Sequence, residues 1–237
     1  MSTDWSGHRI LILAPHPDDE ILGCGGLISR VKNGCGEVYV QFMTVGDAAD
    51  FSDAGASTGT ERLREIDQVA SFLRLDRHHV AFPGPEHHLR LDAVPRLELL
   101  TVLERTSPLS ITALRPTAVA LPEITSYHQD HQVTAQAGMA ALRPGEDGVK
   151  HQPAAVLAYE EVADGWSPDA VPPPNLFVEL GEDELDTKIK ALALYTSQWR
   201  EHPSPRSEPA LRGLAAVRGA QSGTELAEAF RCLRWRV

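Results

Sequence analysis

Short, unbroken apolar runs alternate with amphipathic stretches along the first 142 residues of the chain. The runs are predicted to be buried strands and lie at 10–14, 38–44, 80–82 and 117–121. The amphipathic stretches are predicted to be helices and lie at 22–31, 61–75, 94–104 and 131–142. Strands that are apolar throughout are typical of a parallel sheet covered on both faces. The alternation therefore predicts an α/β layered domain with a mainly parallel sheet.

The pattern is less regular after residue 143. Pro, Gly and Asp collect at 143–148 and 164–175, which we interpret as loops. The segments 154–159 and 176–180 are predicted to be strands, and 185–193 a helix. Residues 227–230 are predicted to pack as part of a helix. We expect residues 1–200 to form one domain, with 201–237 as a C-terminal helical extension packed on it.

Composition and charge narrow the possible partners. The 237 residues include 22 Lys and Arg against 33 Asp and Glu, a formal net charge of −11, and no run of basic residues. Nucleic-acid binding is not expected, because neutralising a phosphate backbone needs a basic face. No apolar stretch approaches the roughly 18 residues of a membrane span, and residues 1–7 lack a signal-peptide pattern. We therefore expect a cytoplasmic protein without a membrane partner, and leave a homo-oligomer open.

Two polar clusters follow predicted strands. The first strand runs into His16-Pro17-Asp18-Asp19-Glu20, and the strand at 117–121 is followed by Tyr127-His128-Gln129-Asp130-His131. Ligands of open α/β sheets bind beyond the carboxyl ends of the strands. His16 and Asp19 are close enough to share one metal ion, and a third ligand from the second cluster would leave one position open, as in catalytic zinc sites.

These two clusters are the residues through which the sequence resembles the LmbE-like, or PIG-L, family of zinc-dependent N-deacetylases. Gly23, Gly25 and Gly26 behind the first cluster belong to the same motif, and weaker agreement covers 61–65 and 188–198, including Tyr195-Thr196-Ser197-Gln198. The likeness spans roughly residues 9–200. It implies a Rossmann-like three-layer sandwich whose metal site lies at the C-terminal ends of the strands.

The resemblance also implies roles for individual residues. The zinc ligands are expected to be His16, Asp19 and His131, and Asp18 the general base that takes a proton from the attacking water. His128 is expected to face the substrate carbonyl as an imidazolium and stabilise the oxyanion, with Asp130 raising its pKa through its negative charge.

Four further residues are candidates for contact with substrate. Arg62 matches the arginine with which similar enzymes hold their substrate, and Tyr127 lies one residue from the position of a tyrosine in some relatives. Relatives often carry an aspartate after the third strand, where this chain has Glu86 and His88 instead. Glu86 is expected to replace that aspartate in part, and His88 to add a polar contact.

The predicted function is therefore removal of an N-acetyl, or other N-acyl, group from a small amino-sugar glycoside such as an N-acetylglucosamine derivative. Two nitrogens and one oxygen favour Zn²⁺ and would also accept Fe²⁺. Three alternatives stay open. They are a zinc amidase acting on a non-sugar or thiol-conjugate amide, a non-catalytic metal-binding protein, and a nucleotide-binding domain that uses the glycines at 23–26.

Overall fold

The computed structural model describes residues 5–49, 55–146 and 148–236. Its strands are β1 (Arg9–Ala14), β2 (Glu37–Thr44), β3 (Ala48–Ala49), β4 (Ala56–Ser57), β5 (Arg77–Phe82), β6 (Ala118–Pro122), β7 (Ala155–Tyr159), β8 (Leu176–Leu180) and β9 (Leu226–Trp235). Its helices are α1 (Asp19–Asn33), α2 (Gly59–Leu73), α3 (Arg96–Thr101), α4 (Ile111–Leu114), α5 (Gln129–Ala141), α6 (Glu182–Leu194) and α7 (Glu208–Ser222). A π-helical stretch, Val102–Thr106, continues α3.

Seven strands form one sheet in the order β5-β2-β1-β6-β7-β9-β8. All neighbours pair in parallel except β9, which runs antiparallel to both β7 and β8. The two-residue strands β3 and β4 form a separate small hairpin. The prediction of an α/β fold with a mainly parallel sheet is therefore confirmed.

Helices cover both faces of the sheet, and successive residues of β1 point to opposite faces. Ile10 and Ile12 join the core under α1 and α6, whereas Leu11 and Leu13 join the core under α3 and α5. A strand buried on both sides must be apolar at every position, which explains the unbroken run at 10–14. The molecule has three layers, as expected.

Local signals set the start of α2 earlier than predicted. The hydroxyl of Thr58 accepts a hydrogen bond from Glu61 N–H, and the Glu61 carboxylate accepts one from Thr58 N–H. This reciprocal capping box satisfies the first free amides of the helix. The helix therefore begins at Gly59, two residues before the predicted start.

The prediction of helix at 227–230 is wrong, because these residues lie in β9, a strand of the main sheet. β9 lies between β7 and β8, and its first five residues are all buried. A short apolar run cannot be assigned to helix or strand from its periodicity alone. The segment 201–237 thus contributes a helix, α7, and a strand of the main sheet, while its treatment as a separate extension stays a prediction.

Within the described residues, no helix combines the length and apolarity that a membrane crossing would require.

Candidate metal and active site

The two polar clusters meet at the carboxyl ends of two neighbouring strands, β1 and β6. β1 pairs with β2 on one side and with β6 on the other, all in parallel. The first cluster follows β1 and enters α1, and the second follows β6 and enters α5. Adjacent parallel strands end at the same edge, so the fold brings together segments more than a hundred residues apart.

His16, Asp19 and His131 present three ligand atoms to one point. These atoms lie within 4.8 Å of one another, and all three side chains are buried. Asp19 Oδ2 is 3.4 Å from His16 Nδ1 and 3.2 Å from His131 Nε2. Burial would raise the pKa of Asp19, but His131 and His16 hold it well below its usual range. Two imidazoles and an ionised carboxylate form a donor set that suits zinc.

The carboxylate of Asp130 contacts His16. Its charge also raises the pKa of His128, as expected, but other effects on His128 outweigh it. Asp130 Oδ2 lies 2.9 Å from His16 Nε2, and its Oδ1 accepts a hydrogen bond from Leu91 N–H at 2.9 Å. Burial lowers the pKa of His16, but hydrogen bonds to Asp130 and Asp19 outweigh it and raise the pKa to about 9. A carboxylate on the far nitrogen of an imidazole fixes the ring and leaves the other nitrogen facing the shared point.

His128 is held as a neutral imidazole, so the expectation of an imidazolium is not met. Burial, together with His16 and His131, lowers its pKa to about 4. Its Nδ1 accepts a hydrogen bond from Asp130 N–H at 3.1 Å and caps α5. Because Nδ1 is the acceptor, the proton of the neutral ring lies on Nε2.

Asp18 lies between His16 and Asp19 along the chain and has a left-handed backbone with φ of 103°. Arg62 Nη2 lies 3.8 Å from its Oδ1, and Arg206 Nη1 lies 3.7 Å from its Oδ2. Burial and Asp19 raise the pKa of Asp18 to about 6, against the opposing effect of the two arginines. A pKa near neutrality suits a general base.

These groups open into a cavity of about 270 Å³. Seven of the ten predicted site residues contribute to its lining: His16, Asp18, Asp19, Arg62, Tyr127, His128 and His131. Tyr127 is 48% exposed. The fold thus assembles seven of the predicted residues around one space.

Glu86 and His88 are not among the lining residues that the structure describes. Glu86 is exposed, with its carboxylate 3.5 Å from His87 Nε2. His88 is buried behind His16, with their ring centroids 5.4 Å apart, and its Nδ1 is 3.3 Å from Thr44 Oγ1. Neither placement supports the expected contact with substrate, because Glu86 lies exposed on the 3-10 turn at 85–87 and His88 is buried outside the described lining.

Sequence reasoning missed several residues that line the cavity. Glu161 follows β7 and lies 4.0 Å from His131 Nδ1, so the strand-end rule could have identified it. The segment 197–206 forms another wall through Ser197, Gln198, Arg200, Ser204, Pro205 and Arg206. Its second half lies in a proline-rich stretch where no motif points to a site.

The glycines at 23–26 serve packing within α1, which argues against the nucleotide-binding alternative. A Cβ on Gly23 would collide with the ring of Tyr159, and one on Gly25 would lie 2.6 Å from Lys188 Cγ. A Cβ on Gly26 would meet the side chain of Leu180. These glycines let neighbouring elements approach the helix closely rather than form a phosphate-binding loop.

The chain is similar to known deacetylases. The chain is 25% identical to the diacetylchitobiose deacetylase of Thermococcus kodakarensis over 94% of this chain and 82% of that protein. The solved structure of Dbv21, a deacetylase of the A40926 pseudoaglycone, has a TM-score of 0.70 at 20% identity and covers 97% of this chain and 98% of that one.

A second similar structure shows that the fold alone does not decide the reaction. GalB, the 4-carboxy-2-hydroxymuconate hydratase of Pseudomonas putida, also has a TM-score of 0.70 at 20% identity, with coverage of 97% and 98%.

The family model described as "PIG-L: GlcNAc-PI de-N-acetylase" matches residues 11–142, which contain both polar clusters. The chain therefore belongs to the PIG-L family of de-N-acetylases.

Proposed function

We propose that this protein is a zinc-dependent N-deacetylase that removes an N-acetyl group from a small amino-sugar glycoside. The observation that carries the proposal is the convergence of His16, Asp19 and His131 within 4.8 Å beside the buried carboxylate of Asp18. Family membership and the deacetylase relatives support the same reaction class.

Zn²⁺ would be held by His16, Asp19 and His131, and the same donor set would accept Fe²⁺. Three protein ligands leave a position open, which is the arrangement of catalytic rather than structural zinc. When bound, the ion acts as a Lewis acid that activates water and polarises a carbonyl oxygen. The fit is supported by the Asp130 contact, which fixes the ring of His16 from behind.

Asp18 acts as the general base of the proposed reaction. It takes a proton from the attacking water and passes it to the leaving amine nitrogen as the C–N bond breaks. Its neighbours Arg62 and Arg206 limit the rise of its pKa, so that a large fraction is ionised near pH 7. Asp18 has no function in metal binding alone, which favours the enzyme over the metal-binding alternative.

His128 stabilises the tetrahedral intermediate by hydrogen bonding. Its Nδ1 is occupied by Asp130 N–H, so Nε2–H is the donor available to the oxyanion. The ring is neutral because its pKa is lowered to about 4, and the buried setting strengthens this hydrogen bond.

Arg62 positions both protein and substrate. Its Nη2 donates to the carbonyl oxygen of Pro17 at 2.7 Å and thereby supports the loop that carries Asp18. Within the described residues its buried Nε has no hydrogen-bond partner. We infer that a hydroxyl or carbonyl oxygen of the substrate takes that position.

The first test is metal content and amine release on the same preparation. We expect about one zinc per chain by mass spectrometry, and chelator-sensitive release of amine from N-acetylglucosamine, its methyl glycoside and diacetylchitobiose. Amine release from non-sugar amides but not from any sugar would favour the amidase alternative over the sugar deacetylase. Absence of bound metal after reconstitution would contradict the proposed zinc enzyme.

A matched pair of variants tests the role of Asp18. Asp18→Asn keeps the shape of the side chain and should retain zinc while lowering kcat by about 10²- to 10⁴-fold. Asp67→Asn is the control, since Asp67 is 74% exposed on the outside of α2. Loss of zinc together with activity in Asp18→Asn would show that Asp18 is a ligand.

A further inference from the structure

Glu161 brings a buried carboxylate to the metal-ligand cluster and leaves one of its oxygens unpaired. The residue lies just after β7, its side chain is 7% exposed, and it lines the same cavity as Asp19 and His131. Among the parts of the chain that the structure describes, no group forms a hydrogen bond with its Oε1. A buried acceptor without a donor is destabilising, so this oxygen points to a partner that becomes available in another state of the protein.

The far nitrogen of a proposed metal ligand lies close to this oxygen. His131 Nδ1 is 4.0 Å from Glu161 Oε1, whereas His131 Nε2 is 3.2 Å from Asp19 Oδ2. The first distance is too long for a hydrogen bond. The two nitrogens of one ring are therefore near two different carboxylates, one inside the ligand cluster and one outside it.

His16 has the same arrangement, with its outer contact already made. Its Nδ1 is 3.4 Å from Asp19 Oδ2, and its Nε2 is 2.9 Å from Asp130 Oδ2. Both histidines thus lie between Asp19 and a second carboxylate. A carboxylate on the far nitrogen of a metal-bound imidazole orients the ring and makes it a stronger ligand.

The backbone that carries Glu161 is attached to the loop that leads to His131. Glu161 N–H donates to Asp164 Oδ2 at 2.9 Å, and Asp164 N–H donates to Glu161 O at 3.1 Å. The hydroxyl of Ser167 donates to Thr125 O, which joins this turn to the loop between β6 and α5. The contact with His131 can therefore close through the Glu161 side chain while both backbones stay in place.

The proton that would complete this contact depends on what His131 Nε2 binds. A neutral imidazole has a single N–H, and a ring that binds a metal ion through Nε2 carries it on Nδ1. The donor that Glu161 Oε1 lacks is then present beside it. Either protonation state of the carboxyl group keeps an oxygen that can accept this hydrogen bond.

We propose that Glu161 is a positioning residue for His131. Its carboxyl group accepts a hydrogen bond from His131 Nδ1–H in the zinc-bound protein, orients the ring and thereby strengthens zinc binding. This inference rests on the proposed function, and it adds to the metal site a residue from outside the segment 11–142 that the family model matches. Asp130 and Glu161 would then have the same role, one for each histidine ligand.

The test measures the affinity of the metal-free protein for Zn²⁺ by competition with a chromophoric chelator. Glu161→Met keeps the length of the side chain without an acceptor, and it should weaken zinc binding by about 10- to 100-fold, the usual effect of losing such a partner. Glu161→Gln keeps an acceptor oxygen and should recover part of this loss.

Glu160→Met is the matched control, because it removes the same charge from the neighbouring position. Glu160 accepts a hydrogen bond from Arg218 Nε at 2.6 Å and is absent from the described lining of the cavity. It should bind zinc as tightly as the unmodified protein. Equal weakening in Glu160→Met and Glu161→Met would overturn the proposal, because net charge alone would then explain the effect.

Thermal unfolding of the metal-free proteins separates this role from a structural one. Replacing a buried, unpaired carboxylate by an apolar side chain should leave the melting temperature of metal-free Glu161→Met unchanged or raise it. A lower melting temperature together with weaker zinc binding would overturn the proposal, since Glu161 would then support the fold itself.

The affinities do not depend on turnover, so the two proposals can fail separately. Weaker zinc binding in Glu161→Met, in a protein that releases no amine from any sugar, would support the orienting role and contradict the deacetylase. Unchanged zinc affinity in an active Glu161→Met enzyme would overturn the orienting role and leave the deacetylase in place. A higher KM in that enzyme would show that Glu161 contacts substrate instead.

Discussion

The hydroxyl of Tyr195 donates a hydrogen bond to Glu20 Oε1 at 2.6 Å, which connects the end of α6 to the first turn of α1. The other oxygen of Glu20 accepts a hydrogen bond from Asp18 N–H at 3.1 Å. Asp18 has the left-handed backbone, which costs a residue with a side chain about 1–2 kcal/mol. Tyr195 therefore supports, through Glu20, the conformation that places the proposed base.

Tyr195→Phe should retain zinc and lower kcat about tenfold with little change in KM. The buried Glu20 carboxylate would lose its donor, at a cost of about 1–3 kcal/mol, and hold Asp18 less firmly. Steady-state kinetics and metal analysis measure the effect. Tyr39→Phe is the matched control, because Tyr39 OH donates to Glu37 at 2.7 Å away from the cavity. An equal loss of kcat in both variants would contradict the positioning role.

His128→Ala and His128→Asn should both retain zinc and lower kcat by about 10²- to 10³-fold, the effect of removing one oxyanion donor. The two variants should differ in stability. Alanine removes the cap of α5 at a cost of about 1 kcal/mol, whereas asparagine keeps an acceptor for Asp130 N–H. Denaturant unfolding and metal analysis measure both effects.

His131→Ala provides the comparison for the metal, since it should lose zinc. Zinc loss in His128→Ala with zinc retained in His131→Ala would show that His128, and not His131, is the metal ligand.

Lys188→Met should destabilise the protein by about 3–5 kcal/mol while leaving the cavity residues in place. Glu228 accepts hydrogen bonds from the amides of Gly26 and Leu27 at 2.7 Å, and Lys188 Nζ donates to Glu228 at 2.7 Å and to Leu22 O at 2.8 Å. This buried pair therefore contacts three backbone groups of α1. Removing the lysine leaves the carboxylate buried without its counter-charge.

The control for this prediction is Lys190→Met, an exposed position on the same helix, which should change stability by less than about 0.5 kcal/mol. Chemical unfolding compares the two variants. Similar stability in both would show that the buried pair contributes little.

Two glycine-to-alanine substitutions should have opposite effects on stability. Gly213 lies in α7 with open space around its Cα, so Gly213→Ala should stabilise by about 0.5–1 kcal/mol through helix propensity. Gly23→Ala places a methyl group into the ring of Tyr159 and should destabilise by about 1–3 kcal/mol. Thermal unfolding of both variants tests the packing role of the α1 glycines. Stabilisation in both would contradict it.

The sequence was most informative where a side chain and its neighbours along the chain are sufficient to define a structure. The apolar run at 10–14 identified a strand buried on both faces, and the polar residues after it marked the edge where the site lies. The sequence pattern failed for 227–230. These residues belong to β9, which is defined by its two neighbours, β7 and β8, rather than by its own pattern. Glu86 illustrates a second limit, because the direction of a side chain in a short turn depends on local backbone angles.

The amino-acid sequence by itself determined the layered α/β class and the family. It also identified His16, Asp18, Asp19 and His131 as candidate site residues, because all of these depend on local pattern and on short motifs. Only the tertiary structure decided that Asp130 supports His16, that His128 is neutral, and that Arg206 reaches Asp18. Each of these depends on burial, or on a distance between segments far apart in the chain. Charge, hydrogen bonding and pKa respond to such distances, and a linear sequence does not contain them.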